Sequence, residues 1–266
     1  MLKTRALTAA VLLAVFVSAV FLLPRPAWIA FCGALLGIAV WEWGALAGLE
    51  PPGRAAYAAL LIGLFVSPLY LESPPAGELY APAWVYYAAG LFWVLLVPLW
   101  MWRGQRLGGR ALLLAAGALV LVPACAALVD LRSVRPSLLL AVLGAVWISD
   151  SAAYFVGRRY GKRKLAPSIS PGKTWEGVAG ALLAVGVYAL AWAWLGAPAW
   201  IAPAWILPLL LGLAVVGMIG DLFESLIKRQ AGVKDSGALL PGHGGVLDRI
   251  DAPMAMLPLA VLAFMR

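Results

Sequence analysis

Residues 204–229 read AWILPLLLGLAVVGMIGDLFESLIKR. No charge interrupts 204–220, and Asp221, Glu224, Lys228 and Arg229 then follow in close order. A helix that crosses a bilayer needs ~17–25 mostly apolar residues, and in hydrocarbon only a helix or a closed barrel satisfies its own backbone groups. The stretch is therefore read as a transmembrane helix over roughly 204–226 whose last turns carry charge to the membrane surface. Asp221, Ser225 and Lys228 are spaced i, i+4 and i+7, so a carboxylate, a hydroxyl and an ammonium share one stripe of that helix.

Working outward, further apolar segments lie at roughly 6–23, 27–48, 55–71, 82–102, 111–129, 137–156, 177–195 and 252–265. The expected fold is all-α: a polytopic integral membrane protein with about nine transmembrane helices and a polar site facing the cytoplasm. The first segment has a basic flank at Lys3 and Arg5 like a signal peptide, but the next apolar run follows after only Leu-Pro-Arg-Pro. No A-x-A-like cleavage site precedes it, so it is read as a retained helix. Composition agrees: the chain is 64% hydrophobic and 12% charged, against ~45–50% and ~25% in soluble domains. That excludes a water-soluble globule, and it excludes disorder, which needs low hydrophobicity and high charge. The chain divides into residues 1–136, N-terminal helices with about five spans, and 137–266, a C-terminal catalytic region with two cytoplasmic motif loops.

The net charge is +8. By this parse the N-terminal tail and the even-numbered loops carry 16 of the 20 Lys and Arg, leaving Arg25, Arg132, Arg135 and Arg266 on the other side. Such a bias places the N-terminus and those loops in the cytoplasm, and accounts for the basic excess without a nucleic-acid partner. Trp28, Trp84, Trp100, Trp102, Trp200 and Trp205 fall near span ends, where indoles anchor at headgroup level. The stretch 72–82, rich in Pro, Gly and Glu, reads as an outward loop. Cys32 and Cys125 lie inside apolar stretches and supply neither a disulfide framework nor a thiolate metal site. His243 is the single histidine, which excludes a multi-histidine centre within one chain.

Seven of the twelve acidic residues follow position 149: Asp150, Glu176, Asp221, Glu224, Asp235, Asp248 and Asp251. Carboxylates at the edge of a hydrocarbon layer are costly and point to function when a partner can be named. Two basic loops supply partners. In the first, Arg158, Arg159, Lys162, Arg163 and Lys164 precede Ser170-Pro171-Gly172-Lys173-Thr174 at the start of the next helix. Backbone N–H groups at a helix start, a lysine and the Ser170 and Thr174 hydroxyls suit an oxyanion. The cations at 158–164 read equally as a positive-inside anchor, whereas Lys173 is read as a phosphate ligand. Pro167 stands where a Walker A loop needs glycine, so this is not that loop.

The second loop starts with Glu224 and Lys228, whose i, i+4 spacing stabilises a helix by ~0.2–0.5 kcal/mol and assigns Glu224 to a salt bridge. It continues through His243-Gly244-Gly245 to Asp248, Arg249 and Asp251. Adjacent glycines permit positive φ and close backbone approach to a ligand. His243 serves as an acid, a base or a hydrogen-bonding strut. Asp248 and Asp251, three apart, share a face, and Asp248 is placed to add oxygens opposite Asp221. Magnesium takes oxygen ligands, usually one or two carboxylates plus substrate phosphates. Aspartates beside lysines and arginines at a membrane surface thus point to metal-assisted chemistry on a phosphate.

The stretch from Ser225 to Asp251 resembles the signature of the phosphatidate cytidylyltransferases. Ser225, Lys228-Arg229, Lys234-Asp235, Gly237, Leu240-Pro241, His243-Gly244-Gly245, Asp248-Arg249 and Asp251 stand at that spacing. Upstream, Ala153-Tyr154-Phe155, Gly157-Arg158, Gly161-Lys162, Ser170-Pro171, Lys173-Thr174 and Glu176-Gly177 are similar too, and Trp41-Glu42-Trp43 is an echo. The resemblance implies that CTP and phosphatidate give CDP-diacylglycerol and pyrophosphate, with a divalent metal, at the cytoplasmic face of the inner membrane. It also implies a homodimer and carries the metal positions to Asp221 and Asp248. Lys173, Lys228 and Arg229 are then expected on phosphates. Asp251 tunes the metal or orients Arg249, and Ser225 contacts substrate or a second, monovalent cation. Ser170, Thr174, Arg249 and His243 complete the expected substrate contacts, and Asp221, Asp248, Asp251 and Lys228 the catalytic set. A CTP-dependent polyprenol kinase and a carrier for a phosphorylated solute are the competing readings. Carrier sites sit near the bilayer midplane, whereas most of these acids lie at or beyond span ends. The D-G-x-x-A-R-type aspartate cluster of a CDP-alcohol phosphotransferase is not found.

Overall fold

The computed structural model describes residues 2–71, 79–103, 109–197, 200–239 and 244–264. His243, assigned above to the substrate, and most of the outward loop lie outside them. A helix occurs at each of the nine apolar segments: α1 (Leu2–Leu22), α2 (Arg25–Leu46), α3 (Pro51–Leu71), α4 (Ala83–Leu91) continuing through a π turn (Phe92–Leu96) into α5 (Val97–Arg103), α6 (Arg110–Val134), α7 (Pro136–Tyr160), α8 (Trp175–Leu195), α9 (Pro203–Gln230) and, after the short α10 (Leu247–Ile250), α11 (Pro253–Phe264). Among the described residues six helical stretches are long and apolar enough to cross a membrane: Arg25–Leu46, Ala83–Arg103, Arg110–Val134, Pro136–Tyr160, Trp175–Leu195 and Pro203–Gln230. Among the described residues the chain is thus a multi-pass helical membrane protein with six such helices. The twelve residues of α11 rise only ~18 Å, short of the ~30 Å hydrocarbon core.

One element departs from the all-α expectation. Lys164–Ala166 (β1) and Ser170–Thr174 (β2) form an antiparallel hairpin in the first basic loop. It leads directly into α8, where the Thr174 hydroxyl accepts from Gly177 N at 3.1 Å and caps the helix. Elsewhere helices start on proline, at Pro26, Pro136 and Pro203, where the missing N–H has no helical partner to lose.

The helices share one core. α7 lies along α8, α8 on α9, α9 on α11, α11 on α6, and α6 on α2. α8 faces outward, with Leu183, Val187 and Trp194 exposed, as a lipid-facing helix should be. Trp84, Trp102 and Trp205 are exposed at helix ends, but Trp28 is buried, stacked on Phe31 under the Arg132 guanidinium. Its role is core packing, not interfacial anchoring. Phe92 and Trp93 of the π turn meet Phe223 of α9 edge-on and so fix the helix between Asp221 and Glu224.

Asp130 of α6 is fully buried. It accepts from Tyr80 N at 2.7 Å and from the Tyr86 hydroxyl, tying the approach to α4 onto α6. Each buried donor left without an acceptor costs ~1–3 kcal/mol. Asp130→Ala should therefore lower the thermal unfolding midpoint in detergent, and an unchanged midpoint would remove this anchor.

Candidate active site

Helix α7, the hairpin, the start of α8 and the C-terminal half of α9 enclose a cavity of about 630 Å³. Asp150 enters it from α7, Lys173 from β2 and Asp221 from α9, with Ser170 and Thr174 also on its wall. Lys173 Nζ lies 2.6 Å from Asp221 Oδ2. The hairpin turns the lysine, about fifty residues away in sequence, onto the α9 carboxylate. Glu176 steadies the hairpin by accepting from Lys162 N at 3.1 Å and Arg163 N at 3.2 Å.

Two turns further along α9, Lys228 Nζ is 2.6 Å from Glu224 Oε2 and 2.5 Å from Asp248 Oδ1. The expected Glu224 and Lys228 pair forms, but in the interior: Glu224 is fully buried and its Oε1 has no hydrogen-bond partner among the described residues. Asp248 Oδ2 accepts from Ser236 N at 3.0 Å, Ser236 Oγ at 3.1 Å and Gly245 N at 2.8 Å. Burial works against ionisation of Asp248, yet the Lys228 ammonium and these N–H groups outweigh it and hold the carboxyl below the usual carboxylate range. Gly244 has φ +78°, a left-handed turn open to glycine, and a side chain there would meet Asp248 Oδ2.

Asp251 backs onto Gly220, where a Cβ would come 2.6 Å from the Asp251 carbonyl oxygen. Burial pushes its carboxyl well above the usual range, and the charges of Asp221, Glu224 and Asp150 push the same way. The acidic neighbours of Asp221 are thus Asp150, Glu224 and Asp251, while Asp248 sits against Lys228. Ser225 Oγ makes only a long 3.5 Å contact with Asp221 Oδ1. Arg229 is exposed and donates to Ile169 O at 3.4 Å and Val233 O at 3.3 Å, bracing the hairpin turn. Arg249 is exposed, within electrostatic range of Asp150.

The model of the cytidylyltransferase family matches residues 3–265. The chain belongs to the cytidylyltransferase family. Phosphatidate cytidylyltransferase of Pseudomonas aeruginosa is 44% identical over 268 residues, covering 97% of this chain and 95% of that one. The Haemophilus influenzae protein of the same name is 36% identical over 284 residues, covering 97% and 96%. That of Bacillus subtilis is 50% identical over 113 residues, 42% of each chain.

A cytidylyltransferase must bring two anionic substrates together. Among the described residues of this family member no three acidic, Cys or His side chains converge as a ready metal cage. Magnesium does not require one, since substrate phosphates and waters fill most of its shell. The residues fit such an ion in charge: Asp150 and Asp221 face the cavity beside Lys173, Glu224 and Asp248 flank Lys228, and one oxygen of buried Glu224 has no hydrogen-bond partner among the described residues.

Two carboxylates of this cytidylyltransferase carry no site role in the sequence reading. Asp150 faces the cavity, and Glu42 of α2 reaches the loop before Asp248. Glu42 Oε1 accepts from Val246 N at 3.0 Å, and Oε2 from Leu247 N at 2.8 Å and Ser236 Oγ at 2.9 Å. A lone glutamate inside an apolar segment was the available signal, but its partners lie some two hundred residues away.

Proposed function

We propose that this protein transfers the cytidylyl group of CTP to phosphatidate at the cytoplasmic face of the cell membrane. An oxygen of the phosphatidate phosphate attacks the α-phosphorus of CTP. The bond from that phosphorus to the bridging oxygen of the β-phosphate breaks, and CDP-diacylglycerol and pyrophosphate result. The observation that carries this reading is the cavity in which Lys173 of the hairpin meets Asp221 of α9, in a chain similar along nearly its whole length to proteins named for this reaction.

The attacking phosphate is already ionised at neutral pH, so no side-chain nucleophile is needed, and the protein's task is positioning and charge neutralisation. Lys173, beside the cavity, is suited to a nucleotide phosphate, with Ser170 and Thr174 as hydroxyl contacts. Asp221 and Asp248 would hold Mg²⁺, which when bound neutralises phosphate charge and polarises the reacting phosphorus. Lys228 holds the Asp248 carboxylate, and Asp251, packed against Gly220, seats the end of α9 that carries Asp221. The bias of Lys and Arg toward the loops that hold these residues supports a cytoplasmic site.

Radiolabel tests the reaction. With purified protein, phosphatidate and Mg²⁺, label from the α-phosphate of CTP should enter lipid, and label from the γ-phosphate should leave as pyrophosphate. Transfer of γ-label to lipid would make the protein a kinase.

A further inference from the structure

Glu42 is 6% exposed and belongs to a helix far from the motif loops in sequence. It lines neither the cavity nor its rim, yet it takes the N–H groups of Val246 and Leu247 and the Ser236 hydroxyl. Ser236 is the joint of the arrangement. Its Oγ lies 2.9 Å from Glu42 Oε2 and 3.1 Å from Asp248 Oδ2, and its N–H donates to the same Asp248 oxygen at 3.0 Å. A hydroxyl carries one proton, so Ser236 serves one carboxylate at a time while its position is set by both.

The surroundings are shaped to this carboxylate. A side chain at Gly237 would bring its Cβ 2.6 Å from Glu42 Oε1, and one at Gly245 would strike Glu42 Oε2. Next to Glu42, Trp43 donates its indole N–H to Leu113 O at 2.8 Å, which locks α2 to α6. The turn that delivers Asp248 is therefore referenced to a rigid helix of the N-terminal region as well as to α9.

We infer that Glu42 is a positioning residue of the transfer reaction: it holds the backbone N–H groups of Val246 and Leu247 and, through Ser236, sets the Asp248 carboxylate. The inference rests on the reading that Asp248 serves the reaction. Partners that orient a functional carboxylate typically contribute 10–100-fold to activity. Glu42→Gln preserves shape but replaces one oxygen by an amide NH₂, which opposes a backbone N–H where the carboxylate accepted it.

The test uses the full chain in detergent, with α-labelled CTP and phosphatidate. Glu42→Gln should lower kcat roughly 10–100-fold with both KM values unchanged, because the cavity wall is intact. Hydrogen exchange of the peptide spanning 244–250 should accelerate while α2 stays protected. Ser236→Ala should lower kcat in the same way, and the double variant should be no worse than Glu42→Gln alone. Wild-type kcat in folded Glu42→Gln, or a loss confined to KM, would overturn the inference. So would multiplied losses in the double variant. If Glu42→Gln does not fold, Ser236→Ala decides by itself, and a wild-type kcat there rejects the link. Asp248→Asn with full turnover would overturn the role of Asp248 and this inference with it. Inactive Asp248→Asn beside fully active Glu42→Gln would reject only the inference.

Discussion

Asp221→Asn should abolish CDP-diacylglycerol formation in a protein that still folds. The substitution removes one negative charge and little volume at the cavity wall, where Asp221 meets Lys173 at 2.6 Å. That pair is a quarter to a third exposed, and ion pairs open to solvent contribute only ~0–1 kcal/mol to stability, so the unfolding midpoint should hardly move. The chemical loss is of another order. Groups that merely orient a metal ligand contribute 10–100-fold, so loss of a ligand itself should exceed roughly 100-fold. The measurement is initial rate against Mg²⁺ concentration, alongside thermal unfolding. Wild-type turnover at saturating Mg²⁺ would remove Asp221 from the metal site. A large fall in unfolding midpoint would show that the pair serves structure instead.

The largest stability effect is expected at Lys228. Its ammonium is almost wholly buried between Glu224 and Asp248. Lys228→Met keeps much of the stem's volume but leaves two buried carboxylates facing each other without a counter-charge. Removing one partner of a buried ion pair costs ~3–5 kcal/mol, an effect easily read in thermal unfolding. Glu224→Gln in the Lys228→Met background should recover part of the loss, because one uncompensated charge disappears. If Lys228→Met unfolds at the wild-type temperature, the charges at this end of α9 are not buried as described. If the double variant is less stable than the single, Glu224 is not the charge that Lys228 offsets.

Hydropathy located the long helical segments, though not the four-residue α10, because the requirement it reports is local: each stretch must satisfy its own solvent. It said less about how many cross the membrane, and α11 shows why, being apolar throughout but only twelve residues long. The hairpin at 164–174 escaped notice because three- and five-residue strands holding Pro171 and Gly172 have no alternating pattern to detect. Trp28 differs from its expected place for a similar reason. Its position near a helix end suggested an interface, but Phe31 and Arg132 cover it.

The candidate site divides in the same way. Spacing along α9 correctly foretold the Glu224 and Lys228 pair, since i, i+4 neighbours meet in any helix. It did not foretell that Lys228 also takes Asp248, that Lys173 crosses to Asp221, or that Arg229 braces the hairpin instead of facing the cavity.

From the residues alone came the solvent, the helical segments, the basic loops and the family, all properties of contiguous sequence or of short-range spacing. That Lys173 meets Asp221 and Lys228 meets Asp248, and the seat of Glu42 beneath the turn before Asp248, came from packing. Those partners lie from twenty to more than two hundred residues apart. A helix face or a motif contains no record of what another helix will press against it.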